Sequence, residues 1–348
     1  MDFHNFGYEV EVYGYSRGVY TENSLPCNIK LHSLGYAKNG EGYIKKAVDK
    51  IKVVRKILKK NADQNVLYYS FSFDFTLALF FLSKSSLYIY EISDLVYGYF
   101  KYTVLRLPFK MIDAFLCKRA FLTIFTSRGF YTYLFGDKNI ENCIIQPNRV
   151  NKIMRKINRL DYVFSQQSDR IRFSFIGAFR YPNTVFRFAK VIGEFYPQHE
   201  FLFWGDSELT EEVKKISSEY KNVHYLGSYK NPEDLPMIYK TVDVLVCCYD
   251  TKTLNERVAE PNKLYESICF CKPIICSPNT FLESRVEKLE IGYSLDSSED
   301  SNIKSFVNSL TKNDLFKKSK KCLCYNEELF LDSAECIFNY INKYYNIK

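Results

Sequence analysis

The residues best suited to chemistry lie in one run. It reads Glu260-Pro261-Asn262-Lys263-Leu264-Tyr265-Glu266-Ser267 and continues through Ile268-Cys269-Phe270-Cys271 to Lys272-Pro273-Ile274-Ile275-Cys276-Ser277. This pattern predicts a loop, a helix, a tight turn and a buried strand. Pro261 suits the first helical position, where its missing N–H costs nothing. Lys263 and Glu266, three apart, share one helix face, while Leu264, Ile268 and Cys271 mark the opposite, buried stripe. A helix start offers unpaired N–H groups and the positive end of the helix dipole, which suits a phosphate. Lys263 adds a full charge there. Glu266, one turn further on, can accept two hydrogen bonds from adjacent hydroxyls such as those of a ribose. Together they describe a pocket for a nucleotide diphosphate. The same residues also describe a capped surface helix with a charged first turn, and spacing alone leaves both readings open.

The elements that must position this run alternate between strand and helix. Leu87 to Ile92, Leu122 to Ser127 and Ile144 to Arg149 read as strands of a first layer. A polar stretch from Val150 to Arg170 reads as a linker. Beyond it, Ile171 to Gly177, Glu200 to Asp206, Val223 to Tyr229 and Val242 to Asp250 are apolar strands, the first two ending at Gly177 and Gly205. Alternation of this kind in two runs predicts an α/β fold with parallel sheets. In open parallel sheets the carboxyl ends of strands face the ligand crevice. Asp94, just beyond Leu87 to Ile92, is therefore a candidate to bind a sugar or acceptor hydroxyl, or else to cap the next helix. Tyr97 to Phe121 mixes apolar side chains with Lys101, Arg106, Lys110, Lys118 and Arg119. It reads either as a membrane-surface patch or as an amphipathic helix packed on the sheet and interrupted at Pro108.

Composition narrows the function classes. The 348 residues suffice for two domains, and 47% are hydrophobic, enough for two cores. The net charge of +8 is spread over separate helices, such as Lys45 to Lys60 and Lys312 to Lys321. That favours nucleotide diphosphates or anionic lipid weakly, and no nucleic-acid module is present. The 11 Cys sit largely in apolar runs and the four His are scattered, so no metal site is expected. The cysteines read as reduced, buried, small hydrophobes, which implies the cytoplasm. No signal peptide or spanning segment is legible.

The Pro261-Asn262-Lys263-Leu264-Tyr265-Glu266 run resembles the signature of retaining GT-B glycosyltransferases of bacterial capsule and surface-polysaccharide synthesis. The resemblance implies a GT-B fold, two Rossmann-like domains whose parallel sheets face a cleft. These would be residues 1–165 on the acceptor side, 166–330 binding the nucleotide-sugar, and 331–348 as a helix crossing back to the first domain. Phe6 to Gly14 looks like the family's second strand, so the first strand is expected to be missing, with Met1 to Asn5 the tail of the intervening helix. The segment Thr126-Ser127-Arg128-Gly129-Phe130 is also similar to the family's.

The resemblance further implies that Glu266 binds the donor ribose, that Pro261, Asn262 and Lys263 face the diphosphate, and that Gly177 precedes a basic residue, Arg180, on the same diphosphate. Gly205 closes the second strand of this domain, and main chain near Gly227 would read the base. Two positions depart from the pattern. Val258 stands where many relatives have the first Glu of a Glu-x7-Glu pair, for which Glu260 or Glu256 would substitute, and Asn183 stands for a second Lys. Glu260, Lys263 and Arg180 are the expected catalytic set, with Arg257 a further phosphate candidate and the leaving phosphate itself taking the acceptor proton. The implied function is retaining transfer from a nucleotide-sugar to a glycan or lipid-linked acceptor. It would occur in the cytoplasm or at the inner membrane face, without cofactor or metal and without nucleic acid. Two alternatives stay open: an inactive binding or scaffold subunit, and a sugar-nucleotide 2-epimerase.

Overall fold

The computed structural model describes residues 2–16, 29–36, 43–62, 65–165 and 170–345. Among these residues, twelve strands alternate with helices: β1 Glu11–Ser16, β2 Lys30–Tyr36, β3 Leu67–Phe71, β4 Leu87–Ile92, β5 Leu122–Phe125, β6 Cys143–Ile145, β7 Arg172–Ile176, β8 Glu200–Trp204, β9 Val223–Tyr225, β10 Val244–Cys247, β11 Ile274–Cys276 and β12 Gly292–Ser294. They form a pair β1-β2, a four-stranded sheet β3-β4-β5-β6 and a six-stranded sheet β12-β11-β10-β7-β8-β9. The pairings in the six-stranded sheet are parallel throughout, as are β1 with β2 and β3 with β4. The architecture is the α/β parallel-sheet one that the alternation predicts.

The six-stranded sheet is apolar on both faces because helices cover both, as parallel sheets require. Successive residues of β10 show this directly. Val244 and Val246 enter one core with Phe173, Phe201 and Phe203, while Leu245 and Cys247 enter the other with Leu264, Ile268 and Ile274. The chain runs from β7 outward through β8 and β9, then returns to place β10 on the other side of β7. The strand order therefore reverses between β7 and β10, and ligands of open parallel sheets bind outside the carboxyl ends at such a reversal.

Contacts divide the chain into two compact units. One comprises Met1–Glu91, Phe115–Thr123 and Ala334–Lys348; the other comprises Ile92–Ala114 and Ile124–Ser333. In the first, a short helix Asp2–Asn5 precedes β1, which starts at Glu11 rather than at Phe6. Phe3 and Phe6 pack on Phe338 of the closing helix Glu335–Tyr345.

Two local readings change. The polar stretch expected as a linker is fixed in its described part, with Met154 and Tyr162 buried in the core. Arg159 donates to the carbonyls of Ile268 and Cys269 and to those of Cys322 and Tyr325. Its charge thus serves the C-terminal ends of two helices, where carbonyls lack partners, rather than solvent. Residues 166–169, where the domain boundary was expected, lie outside the described residues. Pro108 does not interrupt a helix; it sits in the first turn of Arg106–Arg119, where it has no intrahelical hydrogen bond to lose. The described cysteines are all free, and Cys247, Cys248, Cys269, Cys271, Cys276 and Cys322 are buried, as expected of small hydrophobes. Among the described residues no helix is long and apolar enough to cross a membrane.

Candidate functional site

The carboxyl ends of β7, β8 and β9 carry a row of three glycines. Gly177, Gly205 and Gly227 all have positive φ, at 140°, 131° and 86°. They are joined laterally: Gly177 N–H donates to the Trp204 carbonyl at 2.8 Å, and Gly205 N–H to the Gly227 carbonyl at 2.8 Å. A Cβ at Gly205 would stand 2.1 Å from the Gly177 oxygen, so only glycine lets the two turns lie side by side. Nothing lies within 4 Å of where a Cβ at Gly177 or Gly227 would sit. The row therefore presents bare main chain to open space. Across the strand reversal, Tyr181 stacks on Tyr249, with ring centroids 4.4 Å apart.

The helix predicted to bear the chemistry runs Asn262–Cys269. Pro261 is not its first residue. It holds φ −72° and ψ 150° and stands at the N-cap with no side-chain capping bond. The ring fixes φ but leaves ψ extended, so the helix's opening amides have no side-chain cap. Nor is the helix a surface element: every residue from Lys263 to Cys269 is buried. Lys263 is 5% exposed and Glu266 2%. Their charges meet at 2.5 Å, and Tyr239 OH donates to the same Glu266 oxygen, Oε2, at 2.5 Å. Among the described residues no hydrogen bond reaches Oε1. Burial, the largest influence, would lower the Lys263 pKa, but the Glu266 charge and hydrogen bond together with Tyr229 and Cys247 outweigh it, and the ammonium is held above its ordinary value. Tyr229, two residues beyond Gly227, lies over Lys263 with the ammonium 5.8 Å from its ring. The glycine row and the motif helix thus converge.

Glu260 is buried but turned to other work. Its Oε1 accepts from Tyr265 OH at 2.7 Å and from Arg285 Nε at 2.9 Å. Glu256 closes a capping box with Thr253 at the start of the helix Leu254–Val258, and Arg257 is exposed. Asn183 donates to Asp250 at 2.7 Å and Thr184 to the other Asp250 oxygen at 2.8 Å. The asparagine therefore anchors a carboxylate beyond β10.

Arg180 and Asp94 contrast with these closed networks. Arg180 is exposed and, among the described residues, forms no hydrogen bond or ion pair, yet its charge reaches Asp94, Tyr99 and Tyr181. Asp94 is open to solvent, yet neighbouring protein atoms desolvate it in part. That desolvation raises its pKa, against the pull of the Tyr99 hydrogen bond and the Arg180 charge. Asp94 caps nothing: the turn Val96–Tyr99 that follows has Leu95 at its N-cap and no capping side chain.

A residue with no local signal in the sequence holds this loop in place. Asn255, 3% exposed, accepts from Leu95 N–H and donates to the Leu95 carbonyl, both at 2.9 Å. Nearby, Ser127 Oγ donates to the Val258 carbonyl at 2.7 Å. A Cβ at Gly129 would come 2.1 Å from that same carbonyl. The Asp94 loop and the Ser127–Gly129 turn are both fastened to the segment that leads into the motif helix.

The arrangement offers open main-chain amides, an unpaired guanidinium, a buried ammonium and a half-occupied carboxylate at one strand reversal. Residues 161–328 match the family model of glycosyl transferases group 1. The group 1 span contains the glycine row, Arg180 and the motif helix; Asp94 lies outside it. No curated relative matches the chain. Among solved structures, sucrose-phosphate synthase from Thermosynechococcus elongatus is 14% identical, with TM-score 0.71, covering 99% of this chain and 90% of its own. HepE of Anabaena in complex with UDP and glucose is 14% identical, with TM-score 0.64, covering 92% and 87%. WaaG, a glycosyltransferase involved in lipopolysaccharide biosynthesis, is 12% identical, with TM-score 0.62, covering 94% and 90%. These neighbours give the chain the GT-B glycosyltransferase fold.

Proposed function

We propose that the protein is a glycosyltransferase that takes a sugar from a nucleoside-diphosphate donor. The observation that carries this reading is the Lys263–Glu266 pair, buried at the uncapped start of a helix beside a row of positive-φ glycines. Glu266 Oε1 would accept from the ribose hydroxyls while Oε2 stays fixed by Lys263 and Tyr239. The diphosphate would sit on the helix amides and the Gly177 turn, with Arg180 as its exposed cation. A guanidinium matches phosphate oxygens two at a time, and stabilising charge that develops on the leaving diphosphate is the main electrostatic lever here. Asp94 would orient a sugar or acceptor hydroxyl. Glu260, held by Arg285 and Tyr265, would support the motif helix rather than meet the donor. The proposal extends to transfer with retention onto a glycan or lipid-linked acceptor in bacterial surface polysaccharide synthesis, with protein cations rather than a metal ion on the diphosphate.

Calorimetric titration of UDP and GDP into wild type and Glu266→Gln tests the donor pocket. Micromolar binding that the substitution weakens about tenfold, near 1.4 kcal/mol, is the expected result; no binding of either nucleotide would overturn it. A second reading, a nucleotide-binding subunit without transfer, is favoured by the engagement of Asn183 with Asp250. It predicts nucleotide binding with no sugar released from any donor.

A further inference from the structure

Tyr181 is fixed in place at the strand reversal, yet its hydroxyl has nothing to bind. Its carbonyl accepts from Val185 N–H at 2.9 Å and anchors the turn Pro182–Phe186. Its ring stacks on Tyr249, with centroids 4.4 Å apart, and meets Phe175 edge-on at 6.3 Å and 74°. Contacts of this kind hold an aromatic ring in one orientation. Among the described residues no hydrogen bond reaches the phenol. The phenols sealed inside the protein without a partner are those of Tyr8 and Tyr293; that of Tyr181 is open.

The surroundings identify what it meets. Burial is the largest influence on this phenol and pushes its pKa well up; Glu256 adds to the rise and the Arg180 charge opposes it. The group therefore stays protonated and is available as a hydrogen-bond donor. Cys247 lies within electrostatic reach of Tyr181 and, in turn, of Lys263 and Glu266. Tyr181 thus stands between the exposed cation Arg180 and the buried Lys263–Glu266 pair. A diphosphate seated on the Gly177 turn and the start of the motif helix, and met by Arg180, passes this hydroxyl.

We propose that Tyr181 is a further catalytic residue, whose hydroxyl donates a hydrogen bond to the leaving phosphate of the donor. This assignment rests on the functional reading above. As the bond between the anomeric carbon and the phosphate oxygen breaks, its electron pair stays on that oxygen. The acceptor oxygen forms the new bond to carbon, and its proton passes to the leaving phosphate. The phenol keeps its own proton throughout, and its hydrogen bond strengthens as charge grows on the phosphate. A donor held rigid between two rings is already aimed at that charge and needs no rearrangement as it develops.

The test is calorimetric titration of UDP and UMP into wild type and Tyr181→Phe. UDP carries the leaving phosphate and UMP lacks it. The variant should bind UDP about tenfold more weakly or worse, since a hydrogen bond to a charged group is lost, and should bind UMP as wild type does. Tyr181→Phe keeps both ring contacts, so its melting temperature should match that of wild type, whereas Tyr181→Leu, which removes the ring as well, should melt lower. Equal UDP affinity in wild type and Tyr181→Phe would overturn the proposal and leave the donor pocket standing. Equal losses for UDP and UMP would also overturn it, by assigning the phenol to the nucleoside end. No UDP binding by wild type would remove the donor pocket itself, and this assignment with it.

Discussion

The second compact unit holds two sets of opposite charges near one strand reversal, and they are built in opposite ways. Lys263 and Glu266 are buried, meet at 2.5 Å and are braced by Tyr239. Among the described residues Arg180 and Asp94 are open, feel each other's charge and form no ion pair. The first set is completed by folding; the second keeps its charges open, and the proposed function gives them a donor and an acceptor to bind. Paired charge in a core sets geometry, whereas unpaired charge at the mouth of a site has ligand-binding capacity still to use.

Breaking the closed pair should have the largest effect. Lys263→Met leaves Glu266 buried without its cation and should cost about 3–5 kcal/mol in urea unfolding; replacing both by methionine should recover most of that. If the single variant is as stable as wild type, the pair is not closed in solution.

Lys272 sharpens the contrast from inside the same unit. It is buried, and burial pushes its ammonium down to about 8, with Asp243 partly opposing and Arg172 reinforcing the fall. The unfolded chain binds this proton up to its ordinary value of 10.5, so the unfolded state holds more protons between about 8 and 10.5 and stability rises with pH across that window. Below it the cost is constant. Lys272→Met should therefore add roughly 3 kcal/mol at pH 7, since a proton bound in one state alone is worth about 1.4 kcal/mol for each pH unit of the window. The gain should fade as pH climbs through it.

Asn255→Ala removes both bonds to Leu95 and should cost about 2 kcal/mol, since the freed backbone groups are buried. Donor affinity should hold while acceptor KM rises. Arg180→Ala should leave stability within about 0.5 kcal/mol and weaken UDP about tenfold, near 1.4 kcal/mol. Smallest of all, a chelator should leave UDP affinity unchanged if protein cations alone hold the diphosphate.

The fold was legible because parallel strands buried on both faces leave apolar runs, as Phe173 to Ile176 and Val244 to Cys248 do, and because their glycines mark where chain turns at strand ends. Lys263 and Glu266 were legible as one helix face from spacing alone. Their burial was not, because it depends on Tyr229 and Tyr239, brought in by separate elements with no local signal. Asn255 was illegible for the same reason: its partner, Leu95, is 160 residues away. Arg159 shows the converse, a charge in a polar stretch whose partners are carbonyls from two distant helices. The helix Arg106–Arg119 was half legible: its composition admitted both a surface patch and a packed helix, and the structure buries Arg106, Asp113, Leu116 and Cys117 while Leu107 and Met111 stay exposed.

Hydrogen exchange with and without saturating UDP tests the central claim most directly. The account predicts slowed exchange in the Gly177–Asn183 turn, the Gly227–Tyr229 turn and the Asn262–Leu264 start of the motif helix, with the remote helix Lys312–Leu323 unchanged. UDP binding that leaves those three segments unprotected would contradict it.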